Sequence, residues 1–178
     1  LTRYFGYDSF RPGQQGIVEA LLAGRDVLGV MPTGAGKSVC YQIPAALSPG
    51  ATLVISPLIS LMRDQVDALN DLGLPAAFIN TTQTPDEQAM VFAQAAAGQI
   101  KLLYVAPERL ETGRFRDFAA RTPISLIAVD EAHCVSQWGQ DFRSSYLGIG
   151  DFIAGLPQRP PVGAFTATAT ERVRRDIV

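Results

Sequence analysis

The chain has 178 residues, of which 47% are hydrophobic and 18% are charged, and its formal net charge is −2. This composition is ordinary for a globular protein and excludes a disordered or fibrous chain. The length fits one domain, which would bury about 70% of the surface of the unfolded chain. Because the net charge is slightly negative, any contact with nucleic acid must be local.

The apolar runs and the two cysteines indicate the cellular compartment of the protein. Gly, Pro or charged residues interrupt each apolar run before it reaches membrane-spanning length, so we expect no transmembrane helix, no signal peptide and a cytoplasmic location. Cys40 and Cys134 lack metal-ligand spacing, and we expect both to be reduced and buried. The chain begins at Leu1 and stops within a helical pattern, so we expect a fragment of a longer protein.

The hydrophobic pattern predicts helices and strands that alternate along the chain. Pro12 and Gly24 mark the start and stop of the first predicted helix. The predicted helices cover residues 12–23, 37–47, 59–72, 85–98 and 171–178. The predicted strands cover residues 26–30, 51–55, 76–79, 101–105, 124–129 and 162–166, with a surface loop at 157–161. This alternation predicts an α/β fold, a parallel sheet with helices on both faces.

A glycine-rich turn, Thr33–Ser38, joins the first predicted strand to the second predicted helix and reads T-G-A-G-K-S. Gly34 and Gly36 allow backbone N–H groups to approach phosphate oxygens, and Ala35 lies between them. Lys37 adds a positive charge, and Ser38 offers a hydroxyl to a magnesium ion. Met31 stands where the strict phosphate-loop pattern has glycine, so the match is limited to this six-residue core.

An acidic motif, Asp130-Glu131-Ala132-His133, follows the predicted strand 124–129. Asp130 could hold a magnesium ion on the side opposite the glycine-rich turn. Glu131 could polarise a water molecule for in-line attack on the terminal phosphate. The alternative is a solvated strand end or a helix cap. Together with the glycine-rich turn, the motif indicates hydrolysis of the terminal phosphate of a nucleoside triphosphate. Both motifs follow predicted strands, and we expect them at the same carboxyl edge of the sheet as residues 56–60, 106–109 and 166–168.

In this order the motifs resemble the first motor domain of superfamily 2 helicases, and specifically of the RecQ DNA helicases, over essentially the full length. The resemblance implies a RecA-like, P-loop NTPase sheet that binds ATP and Mg²⁺. Residues 5–14 resemble the motif that recognises adenine in that family. It implies that Tyr7 stacks on the base, Gln14 hydrogen-bonds its polar edge and Arg11 supports the nucleotide. The alternative is that Tyr7 and Phe10 are ordinary packing residues.

Two further segments resemble the family's single-strand track. They are residues 56–65, with Ser56 and Arg63, and residues 104–110, with Arg109. Hydroxyls, backbone N–H groups and arginines can hold phosphates without reading the base sequence. Strand-terminating turns at Ser56-Pro57 and Ala106-Pro107 are the alternative, and both interpretations can hold together.

Residues 134–146 resemble the aromatic-rich loop that couples DNA binding to ATP hydrolysis in RecQ helicases. The resemblance makes Gln137, Trp138, Phe142 and Arg143 DNA-binding or coupling residues. Base stacking would give Trp138 and Phe142, which lie in a polar segment, a function, whereas an aromatic clamp that holds the loop to the body is the alternative. The sequence departs from the family pattern at Gln140, where histidine is common, and at Ser144, where proline is common.

The only histidine, His133, lies in the D-E-A-H motif. We expect it to link the nucleotide site to Gln137 or to residues 166–168. Thr166-Ala167-Thr168 resembles the motif that relays nucleotide state to the DNA track, which makes Thr166 and Thr168 coupling residues.

The resemblance implies an ATP-dependent helicase that moves 3′ to 5′ on single-stranded DNA, acts on duplex DNA and serves DNA repair and recombination. A second RecA-like domain, absent here, would supply the arginine finger. These residues alone should therefore bind nucleotide weakly, hydrolyse little and unwind nothing. An RNA helicase, a non-translocating ATP-dependent switch and a magnesium-dependent phosphotransferase remain alternatives.

Overall fold

A six-stranded parallel sheet lies at the centre of the computed structural model, which describes residues 1–139 and 141–178. The strand order is β1-β6-β5-β2-β4-β3, and every neighbouring pair runs parallel. The predicted α/β class and parallel sheet are therefore confirmed. The strands are β1 (Val27–Val30), β2 (Ala51–Ile55), β3 (Ala76–Ile79), β4 (Leu102–Val105), β5 (Ile124–Val129) and β6 (Val162–Thr166).

Eight α-helices surround this sheet among the described residues, together with three short 3₁₀ segments. None of these helices combines the length and the apolar character needed to cross a membrane. The helices are α1 (Thr2–Phe5), α2 (Gln14–Leu22), α3 (Lys37–Leu47), α4 (Ile59–Asp71), α5 (Pro85–Ala96), α6 (Gly113–Arg121), α7 (Ile149–Ala154) and α8 (Glu171–Ile177). The 3₁₀ segments are Pro107–Glu111, Ala132–Val135 and Ser144–Gly148.

Two apolar cores form because side chains along each strand alternate between the faces of the sheet. In β2, Leu53 and Ile55 enter one core, whereas Val54 enters the other. The first core packs against α5, α6 and α7, and the second packs against α2, α3 and α4. The central strands β2, β4 and β5 are thus buried on both faces over most of their length, which explains why they read as continuous apolar runs.

Most predicted boundaries agree with the structure, and the differences have local causes. Helix α2 begins at Gln14 rather than at Pro12, because Gly13 precedes it with φ 85° and ψ −23° and Pro12 lies in a turn. Helix α6 was not predicted, although Phe115, Phe118 and Ala119 have helical spacing and are buried. The six residues of α7 are too few to show a periodicity.

The carboxyl ends of the strands meet at one edge, as predicted. Val30 of β1 pairs with Thr166 of β6, and Ile55 of β2 pairs with both Val105 and Val129. The segments that follow these strands therefore emerge side by side. This edge holds the glycine-rich turn, the D-E-A-H motif and residues 166–168.

Candidate nucleotide and nucleic-acid site

The glycine-rich turn connects β1 to α3 in a conformation that depends on its glycines. Gly34 has φ 81° and Gly36 has φ 80°, in the left-handed region that other residues rarely adopt. A Cβ atom at Gly36 would also lie 2.5 Å from Nε2 of Gln14, so a side chain there would displace the Gln14 amide from its hydrogen bonds with the turn. The N-terminus of α3 begins directly after Gly36, so its free N–H groups and positive dipole end point toward the turn.

Lys37 and Ser38 are the first residues of α3, and both line a cavity of about 470 Å³ at the carboxyl edge. Asp130 and Glu131 line the same cavity from the end of β5. The Lys37 ammonium donates a hydrogen bond to the Met31 carbonyl at 3.3 Å, which holds it against the turn. The two predicted motifs therefore meet in one cavity. Thr33 lies exposed on the same turn.

Arg11 and Gln14 contact the glycine-rich turn directly. Nη1 of Arg11 donates to the Gly34 carbonyl at 2.5 Å. Nε2 of Gln14 donates to the carbonyls of Ala35 and Gly36 at 3.3 and 3.0 Å, and Oε1 accepts from the Arg11 N–H at 2.8 Å. Both side chains thus fix the shape of the turn, a role that the sequence did not predict. The Gln14 amide keeps one acceptor lone pair for any further partner.

Tyr7 stands at the entrance of this cavity with 52% of its surface exposed. The exposed ring distinguishes Tyr7 from Phe10, which packs against a small core of α2 and α3 residues. Ser9, Leu58 and Gln65 also line the cavity, and sequence reasoning gave them no role there. They come from separate segments, so no local pattern could have indicated their meeting.

Asp130 is a half-buried carboxyl whose pKa is raised to about 6. Burial is the main cause and the neighbouring Glu131 charge adds to it, while the Glu131 N–H, Lys37 and His133 act in the opposite direction. The Glu131 N–H donates to Oδ1 of Asp130 at 3.0 Å. Glu131 has φ 50°, the one positive φ outside glycine among the described residues. Such strain is typical of functional sites.

The donor set in this cavity fits a divalent cation such as Mg²⁺. Magnesium prefers oxygen ligands, and the Ser38 hydroxyl and the Asp130 carboxylate are oxygen donors that line the same space. A cation there would also favour the ionised form of Asp130, which burial alone disfavours.

A buried tyrosine holds the backbone of the acidic motif by a hydrogen bond. Tyr146, 1% exposed, donates its hydroxyl proton to the backbone carbonyl of Asp130 at 2.7 Å. Burial raises the pKa of the Tyr146 hydroxyl, which stays a donor at neutral pH. The tyrosine lies in the Ser144–Gly148 segment and so joins the far end of the aromatic-rich loop to the acidic motif. Sequence reasoning missed this contact, because it depends on the tertiary fold.

His133 joins the acidic motif to residues 166–168, which is one of the two links predicted for it. Its Nδ1 lies 2.8 Å from Oγ1 of Thr166, a fully buried residue, and 3.4 Å from Oε2 of Glu131. The single Thr166 hydroxyl proton is directed to the Thr168 carbonyl at 3.0 Å. Thr166 must therefore accept from His133, which assigns a proton to Nδ1.

The aromatic-rich loop presents two aromatic rings to solvent. Trp138 is 62% exposed and Phe142 is 38% exposed, and Gln137 is exposed as well. Such exposure does not fit a clamp that is simply buried against the body. Arg143 is half-buried, with Nη2 3.3 Å from Oδ2 of Asp141. Gln140 lies outside the described residues, and Ser144 begins a 3₁₀ segment.

The residues predicted for the strand track differ in their accessibility. Ser56 is 1% exposed and its hydroxyl accepts from the Leu58 N–H at 3.3 Å, which is the turn role given as one of its two interpretations. Its part in the strand track stays a prediction. Arg63 is exposed, with Cζ 5.6 Å from the Phe78 ring centre. Arg109 is half-buried and lines a second cavity of about 370 Å³. Thr168 is exposed beside the buried Thr166.

The parallel sheet, with a glycine-rich turn and an acidic strand end that meet in one cavity at its carboxyl edge, has the architecture of the P-loop nucleoside triphosphatases. Residues 11–177 match the model of the DEAD/DEAH box helicases, and the chain belongs to this family. Membership of a family of ATP-dependent helicases implies that the chain uses a nucleotide.

Within that family the chain is similar to RecQ sequences, so the resemblance found in its motifs is confirmed. It is 50% identical over its whole length to the ATP-dependent DNA helicase RecQ of Haemophilus influenzae, covering 29% of that protein. It is 48% identical to the RecQ protein of Bacillus subtilis, with 99% of the chain and 30% of that protein covered. The chain thus spans less than a third of the length of these curated relatives.

The fold also resembles a solved helicase structure. A hypothetical ATP-dependent RNA helicase from Sulfolobus tokodaii aligns with 98% of this chain and 51% of its own, with a TM-score of 0.74 and 21% identity. At this identity the likeness shows the RecA-like fold alone.

Proposed function

We propose that this chain is the single RecA-like ATP-binding domain of a RecQ-type DNA helicase, which uses ATP hydrolysis to move 3′ to 5′ along single-stranded DNA. The observation that carries the proposal is that the acidic motif lies between the nucleotide cavity and an exposed aromatic loop. Glu131 lines the nucleotide cavity, whereas His133 contacts Thr166 and lines a separate cavity together with Trp138. A switch without a strand track would have no use for an exposed Trp138.

The cavity's own residues supply the groups that phosphate hydrolysis requires. Lys37 and the N-terminus of α3 place positive charge beside the phosphates, where charge develops in the transition state. Glu131 orients the attacking water, and Tyr146 holds the Asp130 backbone in place. Ser38 and Asp130 would hold Mg²⁺, which supplies charge neutralisation on the phosphate oxygens when bound.

Nucleotide recognition in this proposal divides between the base and the phosphates. Tyr7 stacks on adenine from the cavity entrance. Arg11 and Gln14 act mainly by holding the glycine-rich turn, and Gln14 has one acceptor left for the base. A change at either residue should therefore weaken phosphate binding as well as base recognition.

The rest of the whole protein supplies what these residues lack. We infer a second RecA-like domain with the arginine finger, a cytoplasmic location and a role in repair and recombination of duplex DNA. The length of the RecQ relatives supports the further domain, because the chain covers about 30% of each, and the location and the cellular role follow from the resemblance to RecQ helicases alone. The 178 residues alone should bind nucleotide weakly and unwind nothing.

The test is ATP hydrolysis by the full-length protein with single-stranded DNA, with single-stranded RNA and with neither. We expect strong stimulation by DNA alone, and Lys37→Ala, which removes the phosphate-binding charge, should abolish hydrolysis in all three conditions. Equal stimulation by RNA would favour an RNA helicase, and no stimulation by either would favour a switch.

Trp138→Ala in the full-length protein separates a translocase from a switch. In a translocase the variant should lose DNA-stimulated hydrolysis, because one base-stacking platform worth about 1–3 kcal/mol is removed. Nucleotide binding without DNA should be unchanged, since Trp138 does not line the nucleotide cavity among the described residues. An unchanged DNA response would contradict the proposed track.

A further inference from the structure

Helix α8 contacts the aromatic-rich loop at two points. The Arg172 guanidinium lies over the Trp138 ring, with Cζ 3.5 Å from the ring centre. One helical turn further, Oδ2 of Asp176 accepts a hydrogen bond from the Ser136 hydroxyl at 2.5 Å. The same Ser136 oxygen accepts from the Trp138 backbone N–H at 3.2 Å. The backbone and the ring of Trp138 are thus both set by α8.

The stack leaves much of the indole accessible. Trp138 is 62% exposed although a guanidinium lies over one of its faces, so we take the opposite face as the surface open to a partner. A planar cation stacked on an indole is favourable and holds the ring in one orientation. A ring fixed in this way meets a nucleobase with less loss of conformational freedom than a mobile one.

We propose that Arg172 is a positioning residue that holds the Trp138 indole ready to stack on a base of single-stranded DNA. This inference rests on the proposed function, since it assigns a base to the free face of the ring. Helix α8 begins three residues after Thr168, and Thr166 contacts His133. The element that orients the indole therefore starts at the segment that contacts the acidic motif.

Direct phosphate binding by Arg172 is the rival explanation, and experiment must separate the two roles. The indole covers one face of the guanidinium at 3.5 Å, whereas the N–H donors lie in the guanidinium plane and stay available to a phosphate. Arg175, on the same helix, is exposed and offers a comparable cation to any phosphate nearby. If the positive charge of α8 were what mattered, Arg175 would serve as well as Arg172. The two arginines are thus a matched pair for experiment.

The test is a double-mutant cycle in the full-length protein, measuring the protein concentration that binds half of a fluorescently labelled single-stranded DNA. Binding can be measured in every variant, whereas Trp138→Ala removes the DNA-stimulated hydrolysis. Arg172→Ala should raise this concentration about two- to fivefold, the factor expected from one exposed cation–π contact. In the Trp138→Ala background the same substitution should have no effect, because Arg172 acts through the indole. Arg172→Lys should lie between wild type and Arg172→Ala, since lysine keeps the charge without the planar stack.

Three results would overturn the inference while leaving the proposed function intact. They are an equal effect of Arg172→Ala with and without Trp138, an effect of Arg175→Ala as large as that of Arg172→Ala, and no effect of Arg172→Ala. The salt dependence of DNA binding gives a further check. If Arg172→Ala lowers the slope of log affinity against log salt concentration by the amount expected for one phosphate contact, Arg172 binds the DNA backbone directly and the inference is wrong. Failure of wild type to respond to DNA would overturn both proposals. Hydrolysis without DNA reports on folding, and it should match wild type in every variant of α8.

Discussion

Gln14 and Gly36 illustrate how single residues shape the nucleotide site. The Gln14 amide bonds to two carbonyls of the glycine-rich turn, and Gly36 leaves space for that amide. His133 and Thr166 form a second such pair, in which one hydroxyl accepts from a ring nitrogen and donates to a carbonyl. In each pair one partner determines which hydrogen bonds the other can form.

Gly36→Ala should lower nucleotide affinity at least tenfold, because a methyl group there is strained at φ 80° and displaces Gln14 from the turn. Binding of a fluorescent nucleotide analogue measures the change. The control is Gly16→Ala in α2, where no atom lies within 4 Å of the added Cβ. That variant should bind nucleotide normally and gain about 0.5–1 kcal/mol of unfolding free energy. Normal affinity of Gly36→Ala would refute the role given to the turn.

Thr166→Val should reduce DNA stimulation of hydrolysis while nucleotide binding is retained, since valine keeps the shape of threonine but cannot accept from His133. Thr166→Ser keeps the hydroxyl and should restore stimulation. The measurement is the ratio of hydrolysis rates with and without single-stranded DNA. Equal ratios for the valine and serine variants would show that the hydrogen bond is not the link.

Tyr146→Phe should cost about 1 kcal/mol of unfolding free energy, because the Asp130 carbonyl loses its donor while the ring stays packed. Denaturant titration of the variant against wild type measures this. Tyr4→Phe, at a half-buried position in α1, is the control and should change stability by less than about 0.5 kcal/mol. A Tyr146→Phe protein as stable as wild type would mean that water replaces the lost contact.

Among the secondary-structure elements, α5 is the helix whose sequence specifies its start most fully. Thr84 accepts from the Glu87 N–H, the Glu87 carboxylate accepts from the Thr84 N–H, and Pro85 occupies the first turn. This reciprocal cap satisfies two backbone donors and pre-sets the first helical φ. By contrast, α3 begins after a glycine with no side-chain cap. The unpaired N–H groups of α3 are the ones that a phosphate can use.

Thr84→Ala should therefore destabilise the protein by about 1 kcal/mol through loss of the cap, with no effect on nucleotide binding. Thermal denaturation and a nucleotide titration measure the two quantities. Thr81→Ala, at an exposed residue just before the cap, is the matched control and should leave both unchanged. A loss of nucleotide affinity in Thr84→Ala would show that α5 contributes to the site.

At the scale of the whole molecule, both cysteines are free and buried, as predicted, and burial raises the pKa of each thiol to about 11. They lie in different cores, Cys134 with α5, α6 and α7 and Cys40 with α2, α3 and α4. Labelling of each thiol therefore reports on the opening of the core on one face of the sheet.

Both thiols should stay unlabelled by a maleimide at neutral pH until the protein unfolds, because they are buried and protonated. Peptide mass mapping of the full-length protein locates the label, and denatured protein is the positive control. Stability should also fall as pH rises from 9.0 toward about 11, since the unfolded thiols ionise first and the folded ones resist ionisation. Rapid labelling of Cys134 alone would mean that its core opens independently.

The sequence by itself determined the strands, the order of the motifs and the chemistry they carry. Strands β2, β3, β5 and β6 and helix α3 have the predicted bounds, because apolar runs and helix periodicity are local signals that burial on both faces of a sheet preserves. The glycine-rich turn and the D-E-A-H motif were predicted for the same physical reason, since each is a short contiguous segment.

Only the tertiary structure decided which side chains contact one another across the fold. Gln14 reaches a turn more than twenty residues away, Tyr146 reaches Asp130, and Arg172 reaches Trp138. The burial of Ser56 could not be predicted, because a hydroxyl at a strand end looks the same in sequence whether it is buried or exposed. Such contacts join separate segments at the carboxyl edge of the sheet, and their geometry depends on how the helices pack on both faces rather than on any local pattern.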